Sequence, residues 1–365
     1  MAAIYRSKGR GGRRGGKGGG PWKGLGVAAG ITAAGWLGMG WVRGEGPNVA
    51  LSAPPAAPGA AAPGDPPAAG APATPCEAPT SGRSVPPALA GAFERVGGDD
   101  LMALVDLRRI VVEFAGAPEA AQAQDALERE RARAQAAAAE VLGQDPEAAL
   151  RLLTRAHLAT VDRATRRAQR QALLELSDRV HFSSAPSSGM TTYTIARGDV
   201  LSRVADAHRT EYRFIQRLNK LHNDRVRIGQ RLKVPQAPVA VVIFKRDFEL
   251  TILFNGCALR VYDVATGKSD RTPEASFTIG TKMVEPDWYS PDGKVHKYGT
   301  KENILGTRWL AFENTDEHQG FGIHGTSFPE SIGTEASMGC IRMRNQEVEE
   351  LYDLVPRGAQ VRIVR

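Results

Sequence analysis

Low-complexity sequence before residue 89 restricts any packed core to the rest of this 365-residue chain. Residues 47–88 are rich in Pro, Ala and Gly and lack apolar periodicity, and proline biases such a segment toward extended conformations. Glycine and mutually repelling positive charges dominate residues 1–23, which cannot supply a core either. We therefore expect a basic Gly-rich tail at 1–23 and a disordered Pro/Ala linker at 47–88.

Between these segments lies "GLGVAAGITAAGWLGMGWV", residues 24–42, which has nineteen residues and no charge. About 20 apolar residues are needed to cross a bilayer as a helix. Seven positive charges precede the run and only Arg43 follows it closely, which favours a cytoplasmic N-terminus. We expect an uncleaved single-pass signal anchor that places the body of the protein in the periplasm or cell envelope. A cleaved signal peptide stays open, because small residues surround Ala50 and Ser52.

The net positive charge of the chain comes from its N-terminal residues. The formal net charge is +7, but residues 1–43 contain eight Lys or Arg and no Asp or Glu. The remainder holds 39 basic and 40 acidic residues and gives no support to a nucleic-acid partner. The cysteines, Cys76, Cys257 and Cys340, are odd in number, so at least one thiol is left over in any pairing, and Cys340 is the best candidate to stay free.

Residues 89–182 have the pattern of amphipathic helices with recognisable N-caps. Asp99 or Asp100 can cap a first long helix, and Asp145 can cap a helix whose pattern runs on to residue 180. A loose apolar stripe follows this last segment, which predicts a small antiparallel helical bundle or hairpin array. The lone histidines of this region, His157 and His181, are interpreted as structural or surface residues rather than as ligands.

Residues 191–235 read as strand, helix, helix, strand. The segments "YTIARGDVL", "LN" and "IGQRLKVP" together resemble a LysM domain over essentially its whole length. The resemblance implies a shallow groove for N-acetylglucosamine-containing glycans such as peptidoglycan. A structural LysM domain that binds no glycan is the alternative. The groove positions implied by the family are Gly198, Asp199, Val200, Leu201, Arg227 and Ile228.

The sequence from 239 to 365 alternates apolar and polar residues in short runs, which predicts a mostly β domain. Asn255 and Gly256 form a typical hairpin-turn dipeptide. A single late helix, "NQEVEELYDLVPRG", follows, with Asn345 as its expected cap.

The chemistry of this domain centres on His324 and Cys340. A cysteine nucleophile reacts as its thiolate, and a neighbouring histidine can lower the thiol pKa or accept its proton. The loop between them, "HGTSFPESIGTEASMGC", can bring two segments side by side. Gly325 and Gly339 flank the pair and permit close backbone approach and exposed N–H donors for an oxyanion. Taken alone, this pattern is weak, because a cysteine after a glycine is more often structural.

The residues around His324 and Cys340 strengthen the case for a catalytic pair. "HGT", "SIG" and "SMGCIRM" resemble the signature of the L,D-transpeptidase (YkuD) family, and "TPEASFTIG" and "NILGTRWLAF" resemble two upstream family segments. The resemblance implies that Cys340 is the nucleophile, that His324 is the base, and that the Gly325 carbonyl orients the imidazole. It also implies that four residues shape the oxyanion and substrate side of the site: Ser337, Met338, Gly339 and Arg342. Met338 stands where the family has His, so the site loses a polar contact.

The implied function is a cell-envelope transpeptidase that forms 3→3 peptidoglycan cross-links through a thioester. The acceptor would be the amine of a diamino acid, and a protein acceptor stays open. The first alternative is an L,D-carboxypeptidase, in which water resolves the same thioester. The second is a non-catalytic peptidoglycan-binding scaffold. No cofactor is expected, and the absence of Cys-x-x-Cys or His-x-x-x-His spacing disfavours a zinc peptidase.

Taken together, these features predict a multidomain chain. An N-terminal transmembrane anchor and a disordered linker precede an α-helical region, a small βααβ LysM module and a mostly β YkuD-like catalytic domain. Peptidoglycan is the expected partner of the last two domains, and the membrane is the expected partner of the anchor.

Overall fold

The computed structural model describes residues 84–290 and 292–365. The predicted tail, the predicted anchor at 24–42 and most of the predicted linker lie outside the described residues. In the part of the chain that is described, no helix is long and apolar enough to span a bilayer. The longest described helix, Pro118–Val141, has 24 residues but carries charged side chains along its length. The prediction of a membrane-anchored, single-pass protein is corrected on this finding and is not carried further.

Six helices make up the helical region, and three of them start at aspartate caps. The side chain of Asp100 accepts from the Met102 N–H, that of Asp145 accepts from two N–H groups of the first turn, and that of Asp162 accepts from the Thr165 N–H. Asp162 therefore starts a separate helix within residues 145–180, which the sequence pattern predicted as one helix. The helices are α1 (Pro87–Ala90), α2 (Ala92–Arg95), α3 (Leu101–Glu113), α4 (Pro118–Val141), α5 (Pro146–Ala159) and α6 (Arg163–His181).

The LysM module has the predicted βααβ order. Strands β1 (Met190–Thr194) and β2 (Arg231–Pro235) pair antiparallel and enclose α7 (Leu201–Ala207) and α8 (Tyr212–Leu218). Its small core is made of apolar side chains from α7, α8, β2 and the loop after β1, and these are Ile195, Leu201, Val204, Ala205, Ile215, Leu232 and Val234.

An eight-stranded sheet forms the C-terminal domain, in the order β13-β11-β10-β7-β14-β3-β4-β5. Asn255 and Gly256 both have positive φ at the β4–β5 hairpin, as the primed turns of hairpins require. The elements are β3 (Val239–Phe244), β4 (Glu249–Phe254), β5 (Cys257–Asp263), β6 (Thr266–Gly267), β7 (Ser276–Val284), β8 (Trp288–Tyr289), β9 (Val295–His296), β10 (Arg308–Phe312), β11 (Gly322–His324), β12 (Glu335–Ser337), β13 (Ile341–Arg342), α9 (Asn345–Leu354) and β14 (Gln360–Val364). β6 pairs with β12, and β8 pairs with β9.

The helical region is not an independent bundle. Its apolar side chains share one core with residues of β3, β4 and β5 such as Val242, Phe244 and Val261. The opposite face of the sheet packs against α9 and against the LysM residues Phe214 and Leu218. Both N-terminal modules of the described chain are thus built onto the sheet of the C-terminal domain, one on each face.

A buried ionic cluster joins the helices to β4. Glu249 lies between Arg166, Arg170 and His157, with 3.1 Å from its Oε2 to Arg170 Nη2 and 3.0 Å from its Oε1 to His157 Nε2. Although burial opposes ionisation, the charge of Arg166 and the other contacts hold the pKa of Glu249 well below its usual range. His157 is therefore a structural residue, as predicted, and its Glu249 contact links α5 to the sheet.

Removing the charge of Glu249 tests this link. We expect Glu249→Gln to lower the free energy of unfolding by about 3 kcal/mol at pH 7, because the buried Arg166 loses one of its two acidic partners and shares the other, Asp247, with Arg108. Urea denaturation of the two chains measures the difference. The control is Glu128→Gln, which removes an exposed helical ion pair with Arg131 and should change stability by less than about 0.5 kcal/mol.

The pH dependence has a defined sign. Because the pKa of Glu249 is lower in the folded state than in the unfolded state, its charge stabilises the fold at pH values above the unfolded-state pKa of about 4.3. This stabilisation is lost as the pH falls below that value. The Glu249→Gln chain and the parent should therefore converge in stability in acid. A difference that is absent at pH 7, or that grows in acid, would contradict the assignment.

Candidate active site

Parallel pairing of β11 with β13 places the two segments of the predicted pair side by side. Ile323 lies opposite Ile341 and His324 lies opposite Arg342. The two isoleucines point into the core on the α9 side. Because side chains alternate along a strand, His324 and Arg342 point to the other face. Cys340 directly precedes β13, so it is carried at the start of the strand that lies beside His324.

His324 is held as a neutral imidazole. Its Nδ1 lies 2.6 Å from the carbonyl oxygen of Gly325 and must donate, since a carbonyl only accepts. The other ring nitrogen, Nε2, is then the acceptor. Burial lowers the pKa of His324 to about 4 against the opposing Gly325 hydrogen bond. The side chain is 2% exposed, and the Trp309 ring lies 5.8 Å from it between centroids.

Cys340 is held as a neutral thiol. Its side chain is half-buried, and Sγ lies 3.8 Å from the carbonyl oxygen of Gly320, to which it donates. Burial raises the pKa of Cys340 to about 11, although a hydrogen bond from the Gly322 backbone and the Arg342 charge act in the other direction. With these pKa values, both the Cys340 thiol and the His324 imidazole are uncharged at neutral pH. The arrangement suits a proton transfer that accompanies attack on a substrate.

The turn before Cys340 is braced by Ser337. The Ser337 hydroxyl donates to the Cys340 carbonyl at 2.6 Å and accepts from the Gly339 N–H at 3.1 Å. Gly339 has φ +136°, and a Cβ there would lie 2.8 Å from a ring carbon of Phe321. Only glycine fits this position without displacement of its neighbours.

Met338 and Arg342 have different surroundings. Met338 is 55% exposed, so the residue that departs from the family signature projects into solvent beside the thiol. Arg342 is buried, and its Nη1 lies 3.4 Å from the hydroxyl of Ser331. Its charge acts on both Cys340 and His324.

Two positioning residues were not singled out by sequence reasoning. Thr272 donates its hydroxyl to the Gly339 carbonyl at 2.8 Å and accepts from the Gly267 N–H at 2.7 Å. It lies in the "TPEASFTIG" segment, so the resemblance carried a signal for it. Asn345 does not cap α9 as expected, since Arg344 holds that place. Its Oδ1 instead accepts from the N–H groups of Thr307 and Thr326, at 3.2 and 3.1 Å, and fixes the loop after His324.

A cavity of about 720 Å³ opens on the same face as the pair. Trp309 and Met283, which face each other across β10 and β7, contribute to its wall. Gly320 and Phe321 also line it, and the Gly320 carbonyl contacts the Cys340 sulfur. The cavity is therefore lined by a residue that contacts the thiol, and its volume suits a small peptide. Among the described residues, no group of three or more His, Cys, Asp or Glu side chains is placed to hold a metal ion.

The predicted glycan groove of the LysM module is formed only in part. Its two loops lie side by side, because the Gly229 N–H donates to the Ile195 carbonyl at 2.8 Å. Val200 and Ile228 are exposed apolar side chains on these loops. Leu201 is 1% exposed and packs in the module core, so its predicted contact with a ligand is wrong.

The remaining predicted groove residues differ in whether they are held in a turn or exposed to a ligand. Asp199 is held in its turn by the Tyr193 hydroxyl at 2.9 Å and the Ala196 N–H at 2.8 Å, which gives its carboxylate a structural role. Gly198 has φ +93° and shapes the same turn. Arg227 is exposed on the second loop.

Alkylation measures the ionisation of Cys340. Iodoacetamide should modify this residue about ten times faster for each pH unit between pH 7 and 9, because the thiolate reacts and the pKa lies at about 11. Peptide-resolved mass spectrometry separates Cys340 from Cys76 and Cys257. His324→Gln should leave the slope unchanged. A rate that is already on a plateau at pH 7 would show an ion pair instead.

Comparison with known proteins agrees with this geometry. Residues 238–363 match the model of the L,D-transpeptidase catalytic domain (YkuD), and residues 193–235 match the LysM model. YkuD of Bacillus subtilis (strain 168), named as a candidate L,D-transpeptidase, is 31% identical over 185 residues, 48% of this chain and 100% of that one. YqjB of the same strain, named likewise, is 40% identical over 126 residues, 34% of this chain and 69% of that one.

A solved L,D-transpeptidase from Mycobacterium smegmatis aligns at 20% identity with a TM-score of 0.30, over 38% of this chain and 64% of that one. Two relatives more than 30% identical are thus covered over most or all of their own length. The chain belongs to the L,D-transpeptidase (YkuD) family and carries a LysM domain directly before its catalytic domain.

Proposed function

We propose that this protein is a peptidoglycan L,D-transpeptidase that forms 3→3 cross-links through a thioester on Cys340. The observation that supports the proposal is the pairing of β11 with β13, because β11 ends at His324, whose imidazole is held by Gly325, and β13 begins directly after Cys340. Membership of the family supports a transpeptidase that modifies peptidoglycan. The LysM module supports contact with the same polymer.

In the first half-reaction, Cys340 Sγ attacks the carbonyl that joins the diamino acid of a stem tetrapeptide to its terminal D-Ala. His324 Nε2 takes the thiol proton as the C–S bond forms. The tetrahedral oxyanion would be held by the N–H of Cys340, since Ser337 already accepts from the Gly339 N–H. Collapse breaks the C–N bond, and His324 returns the proton to the departing D-Ala amine.

In the second half-reaction, the side-chain amine of an acceptor diamino acid attacks the thioester. His324 takes a proton from the attacking amine, the C–S bond breaks, and the thiol is regenerated with that proton. The Gly325 carbonyl keeps the imidazole in the required tautomer throughout. Arg342, buried beside both residues, would contribute positive charge where negative charge develops.

The glycan would lie across the exposed loops of the LysM module. Val200 and Ile228 offer apolar surface there, and Arg227 offers a hydrogen-bond donor. Gly198 and Asp199 would shape this surface rather than contact the sugar. Binding of this kind would raise the local concentration of stem peptides at the catalytic domain.

Mass spectrometry of products tests the reaction. The full chain, incubated with disaccharide-tetrapeptide, should release D-Ala and give a cross-linked dimer, and Cys340→Ala should give neither. Cys257→Ala is the matched control, because this buried thiol lies in the core shared with the helices and should leave the yield unchanged. Tripeptide without dimer would identify a carboxypeptidase. Absence of both products and of any Cys340 adduct would favour the scaffold.

Met338→His tests the missing polar contact. A histidine at this exposed position restores a hydrogen-bond donor beside the thiol, and we expect kcat to rise about tenfold. Met338→Leu, which stays apolar, should leave kcat within about twofold. Equal kcat values for the His and Leu variants would show that the contact does not limit turnover.

A further inference from the structure

A buried lysine outside the candidate active site holds the segment that precedes β7. Lys245 follows β3 directly and is 5% exposed, and its Nζ lies 2.6 Å from an oxygen of Asp270 and 3.1 Å from an oxygen of Glu274. The backbone N–H of Lys245 donates to the Val364 carbonyl at 2.9 Å, which fixes the lysine on the sheet. We call Lys245, Asp270 and Glu274 the lysine clamp.

The lysine clamp encloses Thr272. Asp270 lies two residues before this threonine and Glu274 lies two residues after it, so one cation holds both ends of a five-residue segment. The buried Thr272 hydroxyl donates to the Gly339 carbonyl at 2.8 Å, and Gly339 directly precedes Cys340. The clamp is therefore connected to the nucleophile position through a single hydroxyl group.

The backbone before Thr272 is held in an unfavourable conformation. Ser269 has φ +51° and Asp270 has φ +61°. Left-handed backbone at non-glycine residues is uncommon and costly, and it persists where the surrounding structure imposes it. The Asp270 side chain is 51% exposed, so packing around it does not impose this conformation. The contacts that hold it are the ion pair with Lys245 and a longer one, of 3.6 Å, with Arg365.

The same turn packs tightly against the residue before the nucleophile. A Cβ at Gly267 would lie 2.8 Å from the Cα of Gly339. Strand β6, which ends at Gly267, pairs with β12, and β12 ends at the Ser337 that braces the Cys340 carbonyl. A displacement of the turn would therefore shift the backbone that carries the thiol.

The helical region contacts the lysine clamp through α3. Arg109 lies 4.0 Å from Glu274 and 2.6 Å from Glu113. Burial and the neighbouring Glu274 carboxyl raise the pKa of Glu113, against its contact with Arg109. One helix that precedes the LysM module thus adds to the support of the segment around Thr272.

We propose that Lys245 is a positioning residue for Cys340. It acts through the lysine clamp and the Thr272 hydroxyl, which together keep the Gly339 carbonyl in place. In the described part of the chain the partners of its Nζ are carboxylates, so Lys245 takes no part in proton transfer. This inference rests on the proposed function, because the position of the thiol matters for attack on a substrate.

The rate of thioester formation tests the lysine clamp. Lys245→Met removes the charge and keeps a side chain of similar length, whereas Lys245→Arg keeps a cation. We expect the rate constant for acylation of Cys340 by disaccharide-tetrapeptide to fall about tenfold or more in the Met variant, because a small misplacement of a reacting group slows attack strongly. KM should change by less than about twofold, and the Arg variant should recover most of the loss.

Alkylation gives a second measurement that needs no substrate. A loosened turn should release the Cys340 thiol from its buried position, so iodoacetamide should modify it at least about tenfold faster at pH 8 in Lys245→Met. The rate should also level off near pH 9, as the thiol pKa moves toward its ordinary value of about 8.5. The buried Cys257 reports opening of the whole fold and should keep its parent rate.

Substitutions of Asp270 test the lysine clamp at its exposed end, where the risk to folding is small. Asp270→Ala removes the ion pair and leaves an unfavourable φ, so it should slow acylation and speed alkylation in the same way. Asp270→Asn should have smaller effects, because asparagine tolerates left-handed backbone. The matched control is Lys220→Ala, which changes an exposed charged residue with φ +52° in the LysM module and should leave both rates within about twofold.

Two results would overturn the role of Lys245. One is parent-like acylation and alkylation of Cys340 in both the Lys245→Met and the Asp270→Ala chains. The other is faster alkylation of Cys340 and Cys257 together, which would show general destabilisation instead of a local displacement. Failure of the proposed function has a different signature, which is the absence of a Cys340 thioester in the parent chain. In that case the alkylation rates still decide whether the lysine clamp positions the thiol.

Discussion

The parallel pairing of β11 with β13 is the contact on which the candidate active site depends. Parallel neighbours need a long connection, and here the loop from Gly325 to Gly339 supplies it. Once the strands are paired, the alternation of side chains sends Ile323 and Ile341 into the core on the α9 side and His324 and Arg342 to the other face. A slip of one residue would exchange the two sets, so the buried isoleucines specify the register of the chemistry.

Both faces of the sheet that carries this pairing are covered by other parts of the chain. The helices close one face around the buried Glu249 cluster, and α9 with the LysM module closes the other. Removing either module would expose apolar sheet surface to water. The helical region, for which the sequence gives no chemistry, therefore has a structural function as one wall of the catalytic body.

Local features were predictable where local physics decides them. The hairpin at Asn255 and Gly256, the Asp145 cap and the βααβ order all follow from residues close in sequence. The pair itself was found through its flanking glycines and the family resemblance. Side-chain direction was less accessible, since the first turn of α7 turns Leu201 into the core although its neighbour Val200 is exposed.

Contacts between distant segments could not be read from periodicity. An apolar stripe on α5 and α6 shows that one face is buried but not what buries it, and the answer was the sheet. The separation of these two helices required the Asp162 cap, which resembles many surface aspartates. Asn345 resembles a helix cap in sequence, and only the fold shows that it holds the loops beside His324.

The uncharged state of the Cys340 thiol affects how fast this residue would be oxidised outside a reducing compartment. Hydrogen peroxide and disulfides react with thiolates, so a cysteine whose pKa lies at about 11 is oxidised slowly at neutral pH. Cys340 can therefore rest in its reduced form although its side chain is half-buried rather than sealed. A thiol that is uncharged at rest needs no second cysteine beside it to limit its oxidation.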